Sequence, residues 1–96
     1  MFKTKTAEGK NNICGEQVFR IRKAMKPKLS QRALAERLQL CGMDVDKNAV
    51  QRIECGKRFV TDMELLALAA ALAVPVSELL PPENEKSPLQ IEENLL

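Results

Sequence analysis

Histidine, tryptophan and tyrosine are absent from this 96-residue chain, and three phenylalanines are its only aromatic residues. Without histidine it has no side chain whose unperturbed titration falls near neutrality, and it lacks the commonest metal ligand. Cysteine is scarce: Cys14, Cys41 and Cys55 are odd in number and form no CxxC pair. With no export signal they are expected to be reduced thiols, each without an activating neighbour. Long apolar runs are missing too. The longest, Leu65 to Val76, covers 12 residues, well short of the ~20 that span a bilayer. The opening MFKTKTAEGKNN carries no apolar stretch of the kind a signal peptide needs. These absences predict a cytoplasmic chain that is not an enzyme, touches no membrane and uses no cofactor or metal.

Two local patterns invite chemistry and fail on inspection. Gly56-Lys57 looks like the end of a phosphate-binding loop, but that motif needs glycine at 51 and a hydroxyl at 58, where Gln51 and Arg58 stand. Asp44 and Asp46 are two carboxylates in a loop, which is the pattern of solvated or capping acids more than of a metal site.

What is present points to helices. Ala, Leu, Glu, Lys, Arg and Gln dominate and β-branched residues are scattered, so the composition favours a small all-α domain with an aliphatic core. So small a core makes pairing with a second copy physically attractive. Residues 1–80 hold 14 Lys and Arg against 9 Asp and Glu, a charge of +5, while residues 81–96 hold one Lys against four Glu, a charge of −3. A basic body suits a polyanion through counterion release, although ordinary surface solvation explains +5 as well.

The chain divides into a polar arm at 1–11, expected to be disordered, a compact region at 12–80, and an acidic tail at 81–96 that starts at Pro81-Pro82. The tail is expected to be disordered or to form a short helix that docks through Leu89, Ile91, Leu95 and Leu96. Five helices are predicted between. The first runs from about Ile13 to Lys26, capped by Asn12, with Cys14, Val18, Ile21 and Met25 along one face and Pro27 closing it. The second opens at Ser30 as N-cap, buries Leu34 and Leu38 with Ala33 and Ala35 beside them, and stops near Leu40. The third starts at Asp46 and ends near Cys55, where Gly56 supplies a left-handed residue. Thr61 and Glu64 form a capping box for the fourth, whose LLALAAALAV is apolar nearly all round and must be covered on most sides. The fifth is short, about Pro75 to Leu80, with Val76, Leu79 and Leu80 turned inward.

The third segment, about residues 46–55, is the most informative. At 100° per residue from Lys47, the side chains of Lys47, Asn48, Gln51 and Arg52 share an arc of roughly 140°, and Ala49, Val50 and Ile53 lie opposite. One stripe packs inward and the other offers the amide and cationic donors that match base edges in the major groove.

LSQRALAERL, AVQRIECGKR and TDMELLALAAALAVPVSELL together resemble the phage-repressor and Cro class of helix-turn-helix regulators, with its five-helix lambda-repressor-like fold. The resemblance covers about residues 13–80. It implies a sequence-specific regulator of transcription, a repressor, acting on double-stranded DNA as a homodimer. It also implies base reading by Lys47, Asn48, Gln51 and Arg52, and phosphate contacts by Ser30, Gln31, Lys57 and Arg58; for the last two, charge alone suggests the same. Dimer surfaces in this class often use helix five and the segment after it, which here suggests Leu79, Leu80, Leu89 and Ile91.

The chain departs from the pattern twice. CGMDVD at 41–46 makes the turn between helices two and three about five residues longer than usual, with Met43 and Val45 expected to anchor it by burial. And the glutamate matching Glu54 commonly pairs with an arginine near the end of helix one, where Met25 stands; Arg22 is the alternative, failing which Glu54 is expected to be exposed or bonded to backbone N–H groups. Two rival functions remain open: an antitoxin whose residues 83–96 wrap a toxin, and a protein-interaction module, for which the longer turn is the only motive.

Overall fold

The computed structural model describes residues 5, 6 and 9–82, so the tail candidates Leu89, Ile91, Leu95 and Leu96 lie outside the described residues. Four α-helices follow one another: α1 (Gly15–Ala24), α2 (Gln31–Leu40), α3 (Lys47–Glu54) and α4 (Asp62–Leu72). The expected fifth helix is a single 3₁₀ turn over Val76–Leu79. Pro75 and Pro81 leave too little chain between them for an α-helix to close its hydrogen bonds. Within that turn Leu79 is fully buried, but Leu80, expected to face inward, is 39% exposed.

Each helix starts and stops for a local reason. Ser30 Oγ accepts from Ala33 N–H at 3.0 Å and Asp46 Oδ1 from Ala49 N–H at 2.8 Å, the two caps expected. Thr61 and Glu64 close a reciprocal capping box on α4. The first helix is shorter than predicted. Its regular turns begin at Gly15, so the N-cap position falls on Cys14 and not on Asn12, which instead supports the helix start from two residues earlier, its Oδ1 accepting from Gly15 N–H at 2.8 Å. They end at Ala24, with Met25 already extended, because Pro27 biases the preceding backbone away from helix. Past α2, Met43 N–H reaches back to the Leu38 carbonyl at 2.9 Å. This closure folds the inserted turn inward, so that Met43 and Val45 are both buried, as expected.

The core is aliphatic. Val18, Leu34, Leu38, Val50, Ile53, Leu68 and Leu79 are wholly buried, each contributing about 1.5–3 kcal/mol of transfer free energy. α3 rests on α1 and α2, while α4 packs on α2, α1 and the 3₁₀ turn. The start of α1 meets the end of α3 so closely that a Cβ at Gly15 would run into the Ile53 carbonyl oxygen, so only glycine fits there. The part of the arm that is described is pinned, not loose. Thr6 is buried, it brackets a turn with Lys10 through bonds of 2.8 and 2.9 Å, and Asn11 N–H donates to the Gly56 carbonyl at 2.8 Å.

Candidate nucleic-acid interface

α3 divides as its sequence predicts. Ala49, Val50 and Ile53 are buried against the body, and Lys47, Asn48, Gln51 and Arg52 are all exposed. None of these four side chains is held by a hydrogen bond or ion pair among the described residues, so their donors are available to a ligand. Gly56, at φ 78°, lets the chain leave α3 abruptly: Lys57 N–H closes on the Arg52 carbonyl at 2.9 Å. Lys57 is thereby placed just past the helix end, exposed and without an ion pair among the described residues.

Two open clefts flank the polar face. One, about 400 Å³, lies where α2 meets α3 and is bordered by Arg32, Glu36, Gln39, Asp46, Lys47 and Asn48. The other, about 420 Å³, is bordered by Gln39, Asp44, Asp46, Arg52 and Arg58. Sequence reasoning passed over Arg32. Its signal was available, since it follows Gln31 on an exposed helical position, but its nearness to Lys47 and Asn48 depends on how α2 crosses α3.

A buried ionic network holds α3 from behind. Arg22 Nε donates to Glu54 Oε2 at 2.6 Å and Nη2 to Oε1 at 2.9 Å, with the two side chains only 8% and 4% exposed. Arg22 Nη1 also donates to the Leu29 carbonyl at 3.0 Å. Arg22 is therefore the partner Glu54 needs, reached one turn before the position where the family arginine was sought. Gln31 Nε2 donates to Glu54 Oε1 at 2.9 Å, joining the first residue of α2 to the last of α3. Every buried carboxylate and guanidinium group here is paired, which is the condition for tolerating charge in a core.

The remaining phosphate candidates divide. The Ser30 hydroxyl is exposed and accepts a cap bond, and its O–H donates to nothing among the described residues. Arg58 is engaged. Its Nη1 and Nη2 donate to Glu64 at 3.1 and 3.0 Å, and Nη1 also to the Phe59 carbonyl at 3.2 Å. Glu64 is held below the usual carboxylate range, chiefly by these Arg58 bonds and then by its cap contacts, against the opposing effect of burial. Charge counting missed this pairing because the partner lies six residues on and is turned back only by the first turn of α4.

Asn12 was read as a cap alone, yet its Nδ2 also donates to the Ile53 and Arg58 carbonyls at 3.0 and 2.8 Å. One side chain thus ties the start of α1 to both sides of the loop after α3. The three cysteines are free thiols, and burial pushes Cys14 up to about 11. Among the described residues no cluster of metal-ligating side chains forms, and no helix is long and apolar enough to cross a membrane.

A helix-turn-helix family model matches residues 20–79, from the middle of α1 through the 3₁₀ turn. The chain is a helix-turn-helix regulator of the Cro and repressor type. No curated protein and no solved structure matches it. It is a member of a DNA-binding family, and in the turn that joins α2 to α3 Met43 and Val45 are buried in the core. The match leaves out the arm and the residues beyond the 3₁₀ turn.

Proposed function

We propose that this helix-turn-helix regulator is a sequence-specific transcriptional repressor that binds double-stranded DNA as a homodimer, with α3 in the major groove. The observation that carries the reading is the open polar face of α3: four exposed donors with no partner among the described residues, on a helix clamped by buried contacts on its other side. Lys47, Asn48, Gln51 and Arg52 read base edges. Lys57 and the Ser30 hydroxyl take phosphates. Gln31, anchored on Glu54, uses the rest of its amide, and Arg58 uses Nε and the Nη2 hydrogen that Glu64 leaves free. Two copies related by a two-fold axis read half-sites about one helical turn apart, ~34 Å. Leu79 plays no part in that pairing, since it is wholly buried in its own chain.

The inserted turn gives no support to a pure protein-interaction role, because Met43 and Val45, its apolar residues, are used inside the domain. The test compares two variants on selected and random duplexes. Arg52→Ala costs about 1–3 kcal/mol on the selected site and relaxes one base position, whereas Lys57→Ala weakens all sequences alike and lowers the salt slope by about one. Equal losses on both duplexes for Arg52→Ala refute base reading by that residue.

A further inference from the structure

We propose that the segment before α1 is a second phosphate-contacting element, in which Lys10 and Lys5 extend the cationic edge that begins at Lys57. The proposal rests on the DNA-binding reading above and adds residues that neither the family match, which starts at residue 20, nor the helix-turn-helix pattern assigns.

Three observations carry it. First, the segment is strapped to the loop that leaves the recognition helix: Asn11 N–H donates to the Gly56 carbonyl at 2.8 Å and Asn11 Nδ2 to the Lys57 carbonyl at 2.9 Å. Wherever that loop meets DNA, the strap goes with it. Second, the strap brings its cations to the same place. The Lys10 stem lies over Gly56, where an added Cβ would meet its methylenes at 2.9 Å, and Lys5 Nζ donates to Asn11 Oδ1 at 3.0 Å, on the amide whose other end holds Lys57. Third, Lys5, Lys10 and Lys57 are all exposed and none is ion-paired among the described residues. Asp62 borders a cavity that Lys10 also lines but makes no ion pair with it, and Glu64 is occupied by Arg58.

Among the described residues none of these three ammonium groups is neutralised by an ion pair, so an anion laid along this edge gains from all of them. The anion that this position offers is the sugar-phosphate backbone beside the groove that α3 enters. Asn11 then acts as a positioning residue, holding the lysines at the loop without touching the ligand through its own charge.

The experiment measures binding of the full chain to a random-sequence duplex as a function of salt. Lys10→Gln and Lys5→Gln, which remove charge and keep much of the stem, are each expected to lower the slope of log K against log salt by about one, and the double variant by about two. Lys10→Arg is expected to retain the full slope, and melting points are expected to stay near wild type, since both side chains are exposed. Lys57→Gln serves as the reference. If it flattens the slope while the Lys5 and Lys10 variants leave it unchanged, the arm makes no phosphate contact and the proposal is overturned with DNA binding intact. If the wild-type chain shifts no duplex at low salt, the DNA reading itself fails and the proposal falls with it.

Discussion

Glu54 shows how much a single residue commits in this fold. Its carboxylate receives Arg22 from α1 and Gln31 from α2 while sitting at the last position of α3, so three helices meet at two oxygen atoms. Glu54→Ala is expected to cost about 3–5 kcal/mol, because it strands the buried Arg22 guanidinium without a counter-charge. In a domain whose total stability lies near 5–15 kcal/mol, chemical denaturation would show that loss directly. Replacing both partners, Arg22→Met with Glu54→Leu, is expected to recover most of it. A double variant as unstable as the single one would show that the pair contributes more than mutual neutralisation. The need for a partner was legible in the sequence, as an acid too costly to bury alone. Which arginine supplied it was not, since that depends on how far α1 slides along α3.

At the scale of the element, the helix ends were the most legible features, because capping is local chemistry within a few residues. Ser30, Asp46, Thr61 with Glu64, and Gly56 all do what their spacing predicts. The exceptions come from proline and from brevity: α1 ends early before Pro27, and residues 76–79 manage only a 3₁₀ turn. The end of α4 is left less well served, since Ala73 adopts a left-handed φ of 56° in which its Cβ is crowded. Ala73→Gly is expected to raise stability by about 0.5–1 kcal/mol, read as a higher melting temperature without loss of helix content.

The start of α4 carries a pH dependence. Glu64 has its pKa lowered in the folded chain, so the stability it contributes is present above the unfolded glutamate value, about 4.3. It is lost as pH falls through the lower folded value. The stability gap between wild type and Glu64→Gln is therefore expected to be full near neutrality and to shrink in acid. A gap independent of pH would mean that Glu64 acts through its cap geometry and not its charge.

For the whole molecule, the distribution of exposed surface decides what remains for partners. The polar face of α3 is open, and Met63 and Leu66 on α4 stand 73% and 57% exposed, so the all-round apolar α4 is covered on fewer sides than its composition demanded. Leu79 was the wrong place to seek a dimer contact for the opposite reason. A homodimer on an inverted repeat predicts two chains per duplex and protection of two half-sites separated by about one helical turn. Footprinting with a mass measurement of the complex tests both, and one chain bound to one half-site at saturation would contradict the two-fold arrangement.

The residue pattern by itself determined that the chain is helical, where most helices begin and end, and which side of α3 stays out of the core, because each of these comes from backbone capping or from a 3.6-residue period. Only the tertiary structure decided which cations are free to meet an anion. Arg58 and Lys57 are neighbours of equal formal charge, yet one is engaged by Glu64 while the other stands open beside Lys10. Long-range packing alone sets which charges find an internal partner, and charge without a partner is what an external ligand can use.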